Sequence, residues 1–237
     1  MNNVNLNTIT FDSLNIDNII HFFSYKPFSY LNDNIHEYFN ISKNIKMLKV
    51  NQIHSNKVIN FTKENIDIKY DADGLVTTLD NVALVIKTAD CQSILLYDKT
   101  KKVIGNIHAG WKGTLNKIID NALNIFIEEY HSNPKDIIAC INPSLLKCCS
   151  EFSVIEYELF KREFSEFIEK KENAKYIIDL TNINRYLMLK KGLKEENIFI
   201  SNLCTSCNNH FFYSYRKDNH TKDRNISIIY KKHDTIF

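Results

Sequence analysis

Residues 82–111, with the sequence VALVIKTADCQSILLYDKTKKVIGNIHAGW, decide how the chain is expected to fold. Three apolar runs in this stretch, at residues 82–87, 93–97 and 103–107, have the length of β-strands and are separated by polar segments. Cys91 and His108 stand at the ends of these runs. The pattern predicts neighbouring strands that present a thiol and an imidazole at the edge of a sheet.

Similar short runs recur on both sides of this stretch and predict one large mixed sheet or two packed sheets. The further strands are expected at residues 47–50, 57–60, 137–141, 176–180, 198–200 and 226–230. Three helices are expected between the strands. The first follows Thr114, the second follows Ser153, which forms a capping-box pattern with Glu156 and leads a run to Ile168, and the third spans residues 181–192. We therefore expect a single α+β domain over residues 1–237.

Composition excludes several classes of function. The 237 residues have a formal net charge of +2 without a basic block, so a nucleic-acid partner is not expected. No apolar run approaches the roughly 20 residues needed to cross a bilayer, and residues 1–23 lack the pattern of a signal peptide. We expect a cytoplasmic protein without a membrane partner, in which the 6 cysteines are reduced thiols. Its oligomeric state is not indicated.

Three residues with metal-binding side chains stand at the edges of apolar runs: His54, Cys91 and His108. Zinc accepts imidazole nitrogen and thiolate sulfur, and three protein ligands would leave its fourth position open for catalysis. Their spacing alone is no zinc signature, since buried cysteines and histidines are common in protein cores. Cys91 as a nucleophile with His108 as its base is a further interpretation. The residues by themselves leave these alternatives open.

The remaining cysteines have weaker patterns. Cys204 and Cys207 form a CxxC, but a structural zinc site needs a second pair, and the nearby His210 would raise the ligand number only to three. Packing or a turn is one interpretation of this motif, and metal or redox use is the other. Cys148 and Cys149 are adjacent, so on a strand their side chains would face opposite ways. At least one of them is expected in the core or in an interface.

Six short motifs follow one another along the chain. They are NQIH at 51–54, DGLVT at 73–77, KTADC at 87–91, HAGWKG at 108–113, CTSC at 204–207 and FYSYRKD at 212–218. These motifs occur in the order typical of the YfiH-type laccase-domain family, and the chain resembles that family from about Gln52 to Tyr230. The match is specific because TADC is combined with HAGW-x-G.

The resemblance implies a mixed β-sandwich flanked by helices, with zinc bound by His54, Cys91 and His108 as the catalytic residues. It also implies zinc-dependent phosphorolysis of adenosine, inosine, guanosine and methylthioadenosine, together with deamination of adenosine. The partners would be a purine nucleoside and phosphate. One open zinc site suits both reactions, since zinc can activate water or a phosphate oxygen.

Arg216, Asp73 and Lys112 are the candidate residues for substrate or phosphate. A guanidinium at Arg216 suits bidentate capture of phosphate, although a solvated arginine on an edge strand is the alternative. Asp73 or Asp90 could instead orient a metal ligand or move a proton. Lys112 replaces the arginine that the family has in its HAGWRG motif.

The chain departs from the family pattern in the walls of the expected pocket. The glycines and arginine of the family's N-terminal block are missing from the segment HFFSYK at 21–26, Ser55 replaces a glycine, and residues 142–147 read NPSLLK. A multicopper oxidase is not expected, because the 8 histidines include no His-x-His pair. Two alternatives remain: a cysteine hydrolase or amidase that uses Cys91 and His108, for example in peptidoglycan editing, and a zinc-stabilised binding module without catalysis.

Overall fold

The computed structural model of the chain describes residues 8–171 and 175–232, so residues 1–7 of the polar N-terminal stretch lie outside it. Its strands are β1 Thr8–Ile9, β2 Ile19–Ser24, β3 Lys46–Leu48, β4 Val58–Phe61, β5 Gly74–Thr77, β6 Val82–Thr88, β7 Gln92–Asp98, β8 Val103–Ala109, β9 Ile137–Ile141, β10 Glu151–Phe152, β11 Ile168–Lys171, β12 Lys175–Ile178, β13 Ile198–Ile200 and β14 Asn225–Lys231. Its α-helices are α1 Ile35–Tyr38, α2 Trp111–Leu115, α3 Ile118–Asn124, α4 Val154–Phe164 and α5 Leu180–Lys190.

Two large mixed sheets pack face to face. The five-stranded sheet has the order β1-β2-β14-β6-β3, and the six-stranded sheet has the order β13-β9-β7-β8-β5-β4. A small antiparallel sheet, β10-β12-β11, lies beside them. Side chains from the inner faces of both large sheets, including Leu84, Leu95, Tyr97 and Ile229, form one buried cluster. This architecture confirms the expected α+β class with packed sheets flanked by helices.

Helices cover the outer faces of the sandwich. Apolar residues of α3, α4 and α5 pack on the outer face of the six-stranded sheet, where Leu123, Phe160 and Leu187 are buried. A smaller cluster on the outer face of the five-stranded sheet includes Phe22 of β2, Ile35 of α1 and Phe28 from the segment between them. Strands β7 and β8 are buried along their whole length because they have cover on both faces.

The layer between the two sheets contains a buried polar side chain, Asn106 of β8. Its side-chain amide donates to the carbonyl oxygens of Leu84 and Ser227, both at 3.0 Å, and its oxygen accepts from the Ser93 hydroxyl at 3.0 Å. Leu84 and Ser227 belong to the five-stranded sheet, so this buried side chain joins the two layers. Buried amides of this kind favour one sheet packing over its alternatives, because a shifted packing leaves them unpaired.

The helices begin and end differently from the sequence prediction in two places. The helix expected after Thr114 begins earlier, at Trp111, and is interrupted at Lys117, whose φ of 57° is left-handed, before α3 continues. The helix that follows Ser153 has the predicted capping box, but the prediction that it extends to Ile168 is wrong. Ile168 lies in β11, where pairing with β12 outweighs the helical spacing. Helix α5 is followed by Gly192 at φ +95°, the predicted helix stop.

The strand predictions are confirmed at the centre of each run. Residues 137–141 and 198–200 form strands with the predicted bounds, and the others differ by a few residues at their ends. The sequence prediction missed β1, β2, β5, β10 and β11. Four of these strands have only 2 to 4 residues, whereas β2 has 6 and lies between β1 and β14. None of the helices in residues 8–171 and 175–232 has the length and apolar character needed to span a bilayer.

Candidate metal centre

The ends of three adjacent strands bring the site together. Strands β7 and β8 are antiparallel with Ser93 opposite His108, and β8 pairs with β5 so that Ile107 faces Gly74. Cys91 comes directly before β7, and His108 is near the end of β8. Asp73 comes directly before β5. The thiol, the imidazole and the carboxylate therefore meet at one edge of the six-stranded sheet.

The loop before β4 supplies His54, and Asp73 determines the loop's conformation. The backbone N–H groups of Ile53, His54 and Ser55 donate to the Asp73 carboxylate at 3.3, 3.0 and 2.6 Å. Three consecutive N–H groups can face one anion only where the chain turns tightly, and His54 accordingly has a left-handed φ of 59°. The Ser55 hydroxyl donates to the same carboxylate at 2.7 Å. The buried carboxylate thus fixes the direction of the His54 side chain.

Asp73 also orients His108. Nδ1 of His108 lies 2.8 Å from Oδ1 of Asp73, and both side chains are buried. Because a carboxylate only accepts, this contact assigns the ring proton to Nδ1 and leaves Nε2 available as a ligand. Burial raises the pKa of Asp73, but hydrogen bonds from His108 and Ser55 outweigh it, so the pKa lies below its usual range. Asp73 therefore remains a carboxylate.

The donor atoms of His54, Cys91 and His108 fit a metal ion. They all lie within 4.8 Å of one another, and Sγ of Cys91 is 4.0 Å from Nε2 of His54. Gly110 makes this approach possible, since a Cβ at that position would lie 3.1 Å from Cδ2 of His54 and 3.2 Å from Sγ of Cys91. Two imidazoles and a thiolate are ligands that zinc and copper both accept. His54 is exposed, so the fourth side of the group faces the solvent.

The charges of the three side chains favour a thiolate at Cys91. Burial raises the pKa of the Cys91 thiol, but the adjacent His108 and His54 outweigh it and lower the pKa to about 6. Burial lowers the pKa of His108, but the Cys91 thiolate and Asp73 raise it to about 9. A thiolate is the form of cysteine that binds metals, and it is also the form that acts as a nucleophile. The electrostatics therefore suit either role.

A cavity of about 750 Å³ opens over these residues, within the size range of small-molecule sites. Aromatic side chains of Tyr30, Trp111, Phe152 and Tyr215 line it. So do basic groups, namely Lys87, Arg216, Lys222 and Arg224. The cavity thus offers planar apolar surface and positive charge next to the candidate metal ligands.

Arg216 is held beside the cavity by Asp90, the residue before Cys91. The Arg216 backbone N–H donates to Oδ2 of Asp90 at 2.8 Å, and the Thr205 hydroxyl donates to Oδ1 at 2.7 Å. The Arg216 guanidinium donates to the carbonyl oxygen of Cys149 at 2.9 Å. Asp90 therefore links the Cys91 loop to the loops that carry Thr205 and Arg216.

The candidate substrate residues have different locations. Arg216 and Asp90 line the cavity, whereas Asp73 lies behind the two histidines and is fully buried. Lys112 is exposed on α2 with its ammonium 5.5 Å from the Trp111 ring centroid, and it is not among the residues that line the cavity. Sequence reasoning assigned no role to Gly110 or Ser55, although the glycine stands inside the HAGW motif. The contact between Gly110 and His54 joins residues that are far apart in the sequence, so the residues next to Gly110 could not reveal it.

Residues 31–232 match the family model described as multi-copper polyphenol oxidoreductase laccase. The chain belongs to this family. The description of the laccase family refers to several coppers. Among the described residues, two groups of side chains could hold a metal ion, namely His54 with Cys91 and His108, and a second group of four cysteines.

Relatives of this laccase-family chain carry a different name. A Clostridium acetobutylicum protein named purine nucleoside phosphorylase is 33% identical over 214 residues, which cover 85% of this chain and 84% of that protein. The Bacillus subtilis purine nucleoside phosphorylase YlmD is 35% identical over 160 residues, which cover 66% of this chain and 58% of YlmD. Among solved structures, the Bacillus licheniformis hypothetical protein YfiH has a TM-score of 0.82 at 25% identity, covering 90% of this chain and 93% of that one.

Proposed function

We propose that the chain is a zinc-dependent purine nucleoside phosphorylase that also deaminates adenosine. The observation that carries the proposal is the group of His54, Cys91 and His108 beneath a cavity with aromatic and basic walls. The name that its relatives carry supports the same reaction. Adenosine, inosine, guanosine and methylthioadenosine are the proposed nucleosides.

His54, Cys91 and His108 would hold the zinc ion, with Asp73 as the residue that positions both histidines. When bound at this site, zinc supplies Lewis-acid chemistry for phosphate or water. Three protein ligands with an exposed side at His54 match the pattern of catalytic zinc sites, which keep one coordination position open. Metal analysis of the purified protein distinguishes the two ions.

The cavity walls would bind the two substrates. Tyr215 and Phe152 provide aromatic surface on which a purine ring can stack. Arg216 provides a fork of N–H donors that suits a phosphate oxygen pair, and Lys222 and Arg224 add positive charge nearby. Lys112, in its exposed position on α2, is proposed to contribute less to phosphate binding than Arg216. A cytoplasmic enzyme would find both nucleoside and phosphate in its surroundings.

The proposal is tested by phosphate-dependent release of free base from inosine and adenosine. We expect release by the wild type, and formation of inosine from adenosine in the absence of phosphate. Arg216→Ala should raise the phosphate KM by about 10-fold or more, since a charged hydrogen bond contributes about 1.5–3 kcal/mol. Arg162→Ala, which removes an exposed arginine from α4, is the matched control. An unchanged phosphate KM in Arg216→Ala would show that the phosphate assignment is wrong.

A cysteine hydrolase is the second candidate, because the lowered pKa of Cys91 next to His108 suits a nucleophile and its base. Alkylation of Cys91 distinguishes the two. Protection of the thiol by added zinc, with loss of base release on alkylation, supports the phosphorylase. Inactivation toward an amide substrate that zinc does not prevent supports the hydrolase. Bound zinc without turnover of any nucleoside supports a binding module instead.

A further inference from the structure

Four cysteine side chains converge in a second cluster, outside the group that contains Cys91. Cys148 and Cys149 come from the turn before β10, and Cys204 and Cys207 come from the loop after β13. All four sulfur atoms lie within 4.8 Å of one another. Sγ of Cys207 is 3.6 Å from Sγ of Cys148 and 3.4 Å from Sγ of Cys149. Each of the four is a free thiol.

The turn at residues 147–149 corrects the expectation drawn from the sequence for the adjacent pair. On a strand, Cys148 and Cys149 would face opposite ways, but in a turn both thiols reach the same side. Cys148 is exposed and Cys149 is half-buried, so neither lies in the core. They supply the second pair of ligands that the CxxC motif lacked. His210 is not a member of the cluster, and its ring instead packs on Phe211 at 4.0 Å.

We propose that Cys148, Cys149, Cys204 and Cys207 bind a zinc ion as a structural site with four thiolate ligands. Zinc–sulfur bonds of about 2.3 Å in a tetrahedron place the sulfur atoms about 3.8 Å apart. The sulfur–sulfur separations of 3.4 and 3.6 Å, with all pairs within 4.8 Å, fit one ion. They are too short for the corners of a multi-iron cluster.

The two cysteine loops are joined by backbone hydrogen bonds, so the ligands are held together before any metal binds. Ser144 forms an isolated bridge with Cys204, with the Ser144 N–H donating to the Leu203 carbonyl at 3.2 Å and the Thr205 N–H donating to the Ser144 carbonyl at 3.0 Å. The Asn208 N–H closes the turn of the CxxC by donating to the Cys204 carbonyl at 3.0 Å. A site that is organised in this way loses little entropy when it binds an ion.

The Cys204 thiol lies beside the backbone N–H groups of Leu146, Cys207 and Ser206, and such donors suit a sulfur that carries negative charge. The Arg216 guanidinium donates to the Cys149 carbonyl, which places a positive charge beside a complex whose net charge would be negative. Since all four ligands come from the protein, no position is left for substrate, and the ion would be structural.

The zinc content of purified protein tests this site separately from the proposed enzyme activity. In protein purified under reducing conditions, we expect about two zinc ions per chain in the wild type and about one in Cys91→Ala, because each group holds one ion. Cys207→Ser should also retain about one, and the double variant none. Cys140→Ala is the matched control, since Cys140 is a free thiol outside both groups. Base release is not part of this readout, so failure of the enzyme proposal leaves the result unaffected.

Cobalt substitution gives a second test that leaves the cluster intact. Cys91→Ala protein loaded with Co²⁺ should show the intense sulfur-to-metal charge-transfer absorption of a four-thiolate site, and the added change Cys207→Ser should weaken it. Three results would overturn the proposal. The first is Cys91→Ala protein that contains no zinc and shows no cobalt spectrum, and the second is iron in place of zinc at this cluster. The third is an intact mass showing that Cys149 and Cys207 form a disulfide in the reduced preparation.

Discussion

Asp73→Asn should weaken zinc binding at His54, Cys91 and His108 without removing a ligand. Oδ1 of Asp73 accepts from the His54 N–H and from Nδ1 of His108, and Oδ2 accepts from the N–H and hydroxyl of Ser55. An asparagine has one oxygen and one NH₂ group in these two places. Whichever way the amide is turned, a donor faces a donor, and one histidine or the Ser55 turn loses its support.

The size of the effect follows from the role of Asp73 behind the ligands. Loss of a residue that orients a metal-binding histidine costs about 10- to 100-fold in metal affinity, or about 1.4–2.8 kcal/mol. Unpaired buried donors should also lower the free energy of unfolding by about 1–3 kcal/mol. Competition with a chromophoric chelator measures the zinc dissociation constant, and urea unfolding of the metal-free protein measures the second effect.

Asp71→Asn is the matched control for Asp73→Asn. Asp71 is exposed two residues away and accepts from the Asn51 side chain at 2.8 Å. Its replacement should leave the zinc dissociation constant within about 2-fold of the wild type, since exposed polar contacts contribute little. If folded Asp73→Asn protein bound zinc at this site as tightly as Asp71→Asn, the account of how the two histidines are positioned would be refuted.

Three further changes probe the site and the fold. Gly110→Ala should weaken zinc binding by about 10-fold, because its Cβ would crowd His54 and Cys91 at 3.1 and 3.2 Å. Chelator competition measures the zinc affinity, and an affinity equal to that of the wild type would contradict the prediction. Asn106→Leu should lower the free energy of unfolding, measured in urea, by about 2–5 kcal/mol, because the carbonyl oxygens of Leu84 and Ser227 lose the amide that donates to them. A decrease below about 1 kcal/mol would contradict this prediction. His21→Gln should make stability less dependent on pH between about 6.5 and about 4.

The sign of the His21 effect follows from its burial, which lowers its pKa from 6.5 to about 4 while its Nε2 accepts from the Phe11 N–H at 2.8 Å. The folded state therefore resists protonation, and the unfolded chain takes up the proton first as the pH falls. This contribution to stability is complete above pH 6.5 and is lost toward pH 4, by about 3 kcal/mol in total. Glutamine keeps an acceptor but does not titrate. Parallel pH curves for the two proteins would contradict the assignment.

The strands of the sandwich centre could be predicted from the sequence because they are long and apolar throughout. Burial on both faces of β7 and β8 requires continuous apolar runs, and such runs are easily recognised. Strand β5 has only 4 residues, and it is a strand because β4 and β8 pair with it on both sides. Ile168 shows the same dependence on partners, since its spacing is helical and its pairing with β12 makes it a strand.

The candidate ligands His54, Cys91 and His108 could be named from the sequence through the family motifs, but their spacing alone could not join them. Pairing of β7 with β8 brings Cys91 near His108, and the carboxylate of Asp73 draws the distant His54 loop toward them. The second cysteine cluster could not be predicted, because its two pairs are more than fifty residues apart and approach only through the bridge between Ser144 and Cys204. Neither the approach of the His54 loop to Cys91 and His108 nor the approach of the two cysteine pairs has a local sequence pattern.

Zinc titration of metal-depleted protein, with phosphate-dependent base release from inosine as the readout, tests the central claim most directly. Activity should return as zinc is added to the wild type and to Cys140→Ala, whose replaced thiol lies outside both cysteine-containing groups. It should not return in Cys91→Ala at any zinc concentration that leaves the protein folded. Full base release by metal-depleted wild type, or by zinc-loaded Cys91→Ala, would contradict the proposal that the ion held by His54, Cys91 and His108 carries the reaction.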